Sequence, residues 1–345
     1  MHTTRAAISH AWQTRLNAQQ HGQVAAKLLH HALVGSTREA YDRHWARFLN
    51  YCASSQMSPL PASLDTTLSY IGHLFETSTI QATSLQPYLS AINTMHSHLG
   101  LEPPAVGPLV QAARRGYGNL RAAAGRPTQR LWLPATAAQR ALQAGLETSD
   151  LTLKRAHLFV ALGFTLFQRE STTTAALRSD IQITDDDLLF KERFSKGKNS
   201  GQMRVIRLPR RHHAGLAALL QDFRSAVEAA GGCRSKSFFA LPGDKAKLTA
   251  AVGDAWVRQS LRALNVVAPE GYTYSSHSLR KGAATAAHAI GVPLTKICYY
   301  GNWSAKSRVV HDYIDPSAEP TPAAYSFFGW LLPQAATQAA GPAAL

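Results

Sequence analysis

The sequence predicts a mostly α-helical protein of two domains, the second of which contains a small β-sheet. Its 345 residues correspond to about two domains of ordinary size. Apolar residues recur at helical spacing through the N-terminal part of the chain, whereas three short runs farther on have strand character. We therefore expect a helical domain over residues 1–124, a linker over 125–135, a mixed domain over 136–332 and a disordered tail over 333–345.

Four or five helices are predicted in the first domain. The segment Ser36–Glu39 reads Ser-Thr-Arg-Glu, which is a capping box, and apolar residues follow it at helical spacing. Further helices are predicted at about 64–75, 84–98 and 108–117. This arrangement indicates a compact helical domain.

The second domain is expected to be helical at both ends, with strands between them. Three runs of β-branched and apolar residues predict strands at Ile181–Ile183, Leu188–Phe190 and Met203–Leu208. Turn-forming residues separate them at Asp185–Asp187 and Gly197–Gly201. These strands are close enough in sequence to form one small sheet.

The charge of the chain indicates a polyanionic partner. The formal net charge is +15, and a basic chain of this size most often binds nucleic acid. Residues 103–146 contain six arginines and no acid, and residues 191–211 contain eight basic residues and one acid, Glu192. Such stretches can line a groove that neutralises phosphates. A membrane surface is a weaker alternative, because no basic helix with a large apolar face is evident.

Cysteine usage and motif searches exclude several other classes of protein. Cys52, Cys233 and Cys298 are far apart and form no disulfide framework, which indicates a reducing compartment. No zinc-type spacing of His and Cys occurs, so we expect no metal and no other cofactor. The N-terminus lacks the apolar run of a secretory signal. We expect a protein of the bacterial cytoplasm and nucleoid, or of a eukaryotic nucleus, that is not secreted.

The densest group of chemically active residues lies near the C-terminus. His277–Thr285 reads His-Ser-Leu-Arg-Lys-Gly-Ala-Ala-Thr, Gly301–Trp303 reads Gly-Asn-Trp, and His311–Tyr313 reads His-Asp-Tyr. Farther upstream, Arg169 precedes Asp180 by eleven residues.

The order of these residues resembles the tyrosine recombinase (phage integrase) family, with a layout like that of Cre. In that family an arginine at the start of a helix is followed by a lysine on a β-turn, His-x-x-Arg, a His or Trp, and the nucleophilic tyrosine. The resemblance covers about residues 30–315. It implies a helical core-binding domain that holds DNA, followed by an α+β catalytic domain. It also implies a tetramer on two duplexes that recombines them through a Holliday junction.

The resemblance assigns a catalytic role to six residues. They are Arg169, Lys196, His277, Arg280, Trp303 and Tyr313. Some alternatives stay open. Lys191 or Lys198 could replace Lys196 as the general acid, and Asn302 could replace Trp303. The family often has an acid three residues after the first arginine, where this chain has Thr172, and the neighbouring Glu170 could take that place.

The chemistry of DNA strand transfer explains these residue types. Two arginines can bind the non-bridging oxygens of a phosphate, and their charge does not depend on pH. On a helix, His277 lies on the same face as Arg280, so it can donate to the phosphate or accept the proton of the tyrosine. A lysine can protonate the leaving 5′ oxygen. Tyr313 would hold the 3′ phosphate covalently and conserve the bond for rejoining.

Two further groups are expected to make contacts. The residues predicted to touch DNA phosphates are Arg114, Arg115, Arg121 and Lys198. The segment 325–332 is conspicuously apolar. The resemblance implies that it docks into a neighbouring protomer, and packing into its own domain is the alternative.

Three other functions are compatible with parts of this pattern. A DNA-binding protein could keep the recombinase fold without strand transfer, although the complete set of catalytic residues disfavours this. A type IB topoisomerase uses similar groups as a monomer. A metal-dependent transposase or nuclease needs an acidic triad, and the chain has only 21 acids, few of them in motif-like positions.

Overall fold

A computed structural model describes most of the chain. The described residues are 24, 27–28, 32–33, 35–124, 129–193, 203–233, 235–244, 248, 250–304 and 308–333. The chain divides into two compact units, Met1–Pro127 and Thr128–Leu345. The prediction of a mostly helical chain with a small sheet in its second part is confirmed.

The described part of the first unit contains four α-helices whose bounds are known. They are α1 (Gly35–Ser54), α2 (Leu64–Thr77), α3 (Gln86–His98) and α4 (Pro108–Ala123). Their buried faces meet in an aromatic core that includes Trp45, Phe48 and Tyr70. The predicted capping box falls inside the first turn of α1, because that helix already begins at Gly35.

Helix α4 continues six residues beyond its predicted end because its last turns are anchored to α2. The hydroxyl of Tyr117 donates to the carbonyl of Ile80 at 2.8 Å. The guanidinium of Arg121 donates to the carbonyls of Phe75 and Ser78, at the C-terminal end of α2, and lies over the Phe75 ring. A cation at the last carbonyls of a helix is favourable for the helix dipole.

The second unit is built around a helix that is buried on all sides. Its helices are α5 (Ala135–Glu147), α6 (Leu151–Thr165), α7 (Glu170–Thr174), α8 (Ala214–Ala229), α9 (Ala250–Ala263), α10 (Ser276–Ala289), α11 (Leu294–Gly301) and α12 (Pro322–Phe328). Every residue of α6 from 154 to 165 is buried. Helices α5, α8, α9 and α10 pack around it.

Two small sheets complete this unit. Strands β2 (Ile181–Ile183), β3 (Asp187–Glu192) and β4 (Arg204–Pro209) form an antiparallel sheet in that order, close to the predicted strands. The sheet buries alternate residues of β3 in the core of the unit, as a sheet with one covered face requires. The connection between β3 and β4, which contains Lys196 and Lys198, lies outside the described residues.

Part of the predicted linker, from residue 129 onward, is folded into the second unit. Strand β1 (Gln129–Arg130) pairs in parallel with β5 (Tyr272–Thr273), and Leu133 is completely buried. The segment therefore belongs to the second unit from residue 129 onward, because its backbone and one apolar side chain are used there. Residues 125–128 and the predicted tail from 334 onward lie outside the described part.

The apolar C-terminal segment packs into its own unit. Phe327 and Phe328 on α12 contact the rings of Phe164 and Phe167 at centroid distances of 4.8 to 5.6 Å. In the single chain, the segment thus packs into its own domain, which was the alternative to docking into a neighbouring protomer.

All three cysteines are free. Among the described helices, none combines the length and the apolar character needed to cross a bilayer.

Candidate active site

Helix α10 positions two of the predicted catalytic side chains. The hydroxyl of Ser278 accepts the backbone N–H of Ser275 at 3.0 Å, which fixes the start of the helix. His277 lies in the first turn and Arg280 lies one turn later. The spacing of three places both side chains on one face of the helix.

Arg280 is the most deeply buried charge of the site. Only 1% of its surface is exposed. Its two terminal nitrogens donate to the carbonyls of Phe167 and Gly301, both at 2.5 Å. Its Nε is buried and has no hydrogen-bond partner within the described structure. A guanidinium has five N–H donors, so several remain for an anion.

The electrostatics of Arg280 favour binding of an anion. Burial and the nearby charge of Arg169 lower the pKa of Arg280 to about 9. The side chain is still protonated at neutral pH. A buried cation without a full set of partners is costly, and a phosphate oxygen would offset that cost.

The phenol of Tyr313 lies directly beside His277. Its Oη is 2.8 Å from Nε2 of His277. Its ring meets the indole of Trp303 edge-on at 5.0 Å, and the Cζ atom of Arg280 is 5.4 Å from its centroid. The hydroxyl of Thr285, on α10, donates to the backbone carbonyl of Tyr313 at 3.1 Å. Side chains of α10 thus contact both the hydroxyl and the backbone of Tyr313.

His277 has the protonation state of a general base. Burial lowers its pKa, and the charges of Arg130, Arg280 and Arg169 lower it further, whereas the charge of Glu170 raises it. The imidazole is therefore neutral at neutral pH. A neutral imidazole within hydrogen-bond distance of a phenol can accept its proton.

The structure distinguishes Trp303 from Asn302. The Cζ atom of Arg280 lies 3.7 Å from the Trp303 ring centroid, whereas the Asn302 amide points to Glu192. A Cβ atom on Gly301 would lie 1.8 Å from the indole, so only glycine allows the ring to fold back here. Trp303 is thus the residue that faces Arg280 and Tyr313.

The segment before α7 brings Arg169 to the site. Phe167 has a positive φ of 54°, which turns the chain so that its carbonyl meets Arg280, and Arg169 occupies the position just before α7. Arg169 is near enough for its charge to lower the pKa of both His277 and Arg280. Thr172 is buried and donates its backbone N–H to the Arg169 carbonyl at 3.0 Å.

Two carboxylates support the start of α10. The hydroxyl of Ser276 lies 2.5 Å from Glu170 and 2.6 Å from Asp254, and Asp254 also accepts the backbone N–H of Ser276 at 2.7 Å. Negative charge is favourable at a helix N-terminus. This bridge joins α7, α9 and α10 immediately beside His277.

Several residues of the site were not identified from the sequence. They are Arg130, Glu192, Asp254, Ser276 and Thr285. Arg130 lies in the acid-free stretch 103–146 and Glu192 is the single acid of the stretch 191–211, but neither pattern assigned the residue to the site. Most of the others depend on contacts between residues far apart in the chain.

The residues predicted to contact DNA differ in exposure and in their partners within the protein. Arg115 is exposed on α4 and Arg114 is half-buried. Arg121 is held by carbonyl groups of its own unit, so its guanidinium has a structural partner. Lys196 and Lys198 are not among the described residues.

Within the described part of the chain, no group of three His, Cys, Asp or Glu side chains could hold a metal ion.

Comparisons with known proteins identify similar chains. No model of a known protein family matches this sequence. An integrase/recombinase xerD homologue of Selenomonas ruminantium is 23% identical over 300 residues, which is 84% of each chain.

Two solved structures show the same fold. The XerH site-specific recombinase bound to difH DNA has a TM-score of 0.58, with 10% identity over 80% of this chain and 75% of that chain. The Tn1549 transposon integrase bound to transposon right-end DNA has a TM-score of 0.54, with 9% identity over 90% of this chain and 95% of that chain.

Proposed function

Because this chain has the tyrosine recombinase fold and a xerD-type relative, we propose that it is a site-specific DNA recombinase that acts through Tyr313. One observation carries the proposal. The Tyr313 hydroxyl lies 2.8 Å from a neutral His277 and beside the buried cation of Arg280. A nucleophile, a base and an anion-binding group side by side support phosphoryl transfer.

The first step is attack of Tyr313 on a phosphodiester. Its Oη forms a bond to phosphorus while His277 accepts the phenolic proton. The bond from phosphorus to the 5′ oxygen breaks, and a 3′-phosphotyrosine remains. Attack of a free 5′ hydroxyl on that linkage reverses the chemistry and rejoins DNA. The covalent bond conserves the energy of the phosphodiester, so ATP is not needed.

Arg280 and Arg169 stabilise the transition state. Negative charge increases on the non-bridging oxygens as the tyrosine attacks, and fixed cations in a buried site stabilise it strongly. Arg280 is already held by two carbonyl groups, so little reorganisation is needed. Trp303 covers the guanidinium and limits its movement.

The leaving 5′ oxygen requires a proton. We assign this role to Lys196, because its Ser-Lys-Gly sequence between two strands matches the family hairpin. Lys198 is then a phosphate contact, and Lys191, which is half-buried on β3, is the alternative acid.

The protein would act as a tetramer that joins two duplexes through a Holliday junction. The first unit, with exposed Arg115, would hold the duplex, and the second would perform the chemistry. The XerH and Tn1549 proteins were both solved on DNA, which supports a double-stranded DNA substrate. Such a protein works where the host DNA is, in a nucleoid or a nucleus.

A covalent-trapping assay tests the proposal. Protein and the Tyr313→Phe variant would be mixed, in the presence of EDTA, with nicked duplexes tiled from the DNA that flanks the gene. A nick lets the short fragment that carries the free 5′ hydroxyl diffuse away. Rejoining is then prevented, so the covalent intermediate accumulates. We expect a denaturation-resistant adduct on Tyr313, and none with the variant, because phenylalanine lacks the attacking oxygen.

The other outcomes identify the alternatives. Tight binding of one duplex without an adduct would indicate a non-catalytic DNA-binding protein. An adduct accompanied by relaxation of supercoiled DNA by monomers, without strand exchange, would indicate a topoisomerase. An adduct on another tyrosine would keep the reaction and remove Tyr313 from it.

A further inference from the structure

The single acid of the basic stretch 191–211 is buried next to the proposed active site. Glu192 is the last residue of β3 and is 2% exposed. Its Oε1 accepts from the amide of Asn302 and its Oε2 accepts from Arg204, both at 3.3 Å. A buried carboxylate needs such partners, so its presence among eight basic residues requires a reason beyond solubility.

Arg204 connects this carboxylate to the end of α11. It pairs with Glu192 across β3 and β4 and donates to the carbonyl of Tyr299. Its guanidinium also lies 4.9 Å from the centroid of the Tyr299 ring. A cation at the last carbonyls of a helix stabilises that end.

Asn302 is the second connection. It ends α11 in the left-handed conformation, with φ 53° and ψ 46°. The backbone N–H of Trp303 then donates to the carbonyl of Cys298 at 3.0 Å, which closes the helix end. Asparagine tolerates this conformation, and here its side chain also reaches Glu192.

The turn that Asn302 forms makes two contacts with Arg280. The carbonyl of Gly301 accepts from its guanidinium, and the indole of Trp303 covers the same group. Residues 301–303 are consecutive, so a displacement of Asn302 moves both contacts together. Glu192 therefore acts on Arg280 indirectly. It binds Asn302, and the neighbours of Asn302, Gly301 and Trp303, contact Arg280.

We propose that Glu192, through Asn302 and Arg204, is a positioning residue that holds the Gly301–Trp303 turn against Arg280 and so sets the geometry of the phosphate clamp. The inference rests on the proposed function. It also explains why this chain reads Gly-Asn-Trp. The asparagine supplies both the left-handed turn and the amide that the buried carboxylate binds.

Electrostatics add to this role. The charge of Glu192 is one of the influences that raise the pKa of Arg280, against the lowering by burial and by Arg169. Neutralising Glu192 would leave more positive charge uncompensated around the clamp. Arg204 would also lose its anionic partner.

Two variants test the proposal with little risk to folding. Glu192→Gln keeps the shape of the side chain and removes its charge. Asn302→Gly keeps the left-handed turn, which glycine adopts freely, and removes only the amide. Cleavage would be measured in single turnovers on the nicked duplex identified by covalent trapping, and on the same duplex with a methylphosphonate at the scissile position.

The methylphosphonate distinguishes positioning from general damage. Its methyl group replaces a non-bridging oxygen, so less negative charge develops in the transition state and less clamping is required. We expect both variants to cleave the phosphodiester about 10²-fold more slowly, the loss typical of a misplaced catalytic group. On the methylphosphonate the loss should be roughly tenfold smaller, and Arg280→Ala, which removes the clamp itself, should show the same pattern.

The control breaks a second, more exposed ion pair between the same two strands. Asp187 on β3 pairs with Arg207 on β4 at 2.9 Å, away from the Gly301–Trp303 turn. Asp187→Asn should cleave both substrates at the wild-type rate. Wild-type rates in Glu192→Gln, or equal losses on both substrates, would overturn the positioning role while leaving the proposed function intact. A wild-type protein that binds DNA without cleaving it would overturn both.

Discussion

Burial sets the chemistry of His277 and Arg280 in opposite ways. Desolvation lowers the pKa of both groups. For His277 this favours the neutral form, which a proton acceptor needs. Arg280 begins from a much higher pKa, so it stays charged and can bind an anion. One buried environment therefore produces a base and a cation side by side.

The pH dependence of cleavage should report the pKa of His277. Neutral imidazole increases as pH rises through that pKa, so kcat/KM should increase and then level off. Glu170 raises the pKa and Arg130 lowers it. Glu170→Gln should therefore move the acidic limb to lower pH, and Arg130→Gln should move it to higher pH.

The opposite signs provide the control for this prediction. Both substitutions remove one charge, and a nonspecific loss of stability would not separate them. The measurement is kcat/KM for the nicked duplex as a function of pH, because this profile reports the pKa values of the free protein. Shifts in the same direction would show that another group controls the limb.

At the scale of the element, α10 carries His277, Arg280 and Thr285, whose hydroxyl donates to the backbone carbonyl of Tyr313. It can approach the segment before α5 closely because residue 282 is glycine. A Cβ atom there would lie 2.1 Å from the carbonyl oxygen of Leu133, whose N–H donates to Ser278 at 3.0 Å. Close packing against the backbone of Leu133 therefore requires glycine at position 282.

Gly282→Ala should destabilise the second unit. The new methyl group meets backbone, which cannot rotate away, and overpacking of this kind costs about 1–3 kcal/mol. Urea denaturation would measure the loss. Gly215→Ala is the matched control on α8, because its Cβ would be 3.5 Å from Leu142. That control should be neutral or up to about 1 kcal/mol more stable. An unchanged midpoint for Gly282→Ala would contradict the close approach.

At the scale of the whole molecule, the charge of +15 predicts DNA binding that weakens steeply with salt. Individual arginines should contribute unequally. Arg115 is exposed, whereas the guanidinium of Arg121 is bound to carbonyls of Phe75 and Ser78. Among the described residues, none binds the Arg115 side chain, so a phosphate would have no structural partner to replace there.

Arg115→Gln and Arg121→Gln should separate these two roles. The first should reduce the slope of log affinity against log salt by about 0.9, the value for one phosphate contact, and leave stability unchanged. The second should cost about 1–3 kcal/mol of unfolding free energy, because two carbonyls lose their donor. Fluorescence anisotropy at several salt concentrations and urea denaturation are the measurements. A changed slope for Arg121→Gln with full stability would instead make it a DNA contact.

Local patterns determined much of this protein. Periodicity predicted the helices of the first unit and three strands of the second, because both depend on neighbouring residues. The fold class followed from those elements and is confirmed. The end of α4 was misjudged because Arg121 stabilises it through residues more than 40 positions away.

The sequence by itself determined the types and order of the reactive residues, since His277 and Arg280 lie on one helix and Tyr313 follows at a fixed spacing. Their catalytic role remains a prediction. The tertiary structure alone decided that Trp303 rather than Asn302 covers Arg280. It also decided that Glu170 meets Ser276 across 106 positions and that Glu192 meets Asn302 across 110. Contacts at such separations depend on how elements pack, and local spacing carries no information about that packing.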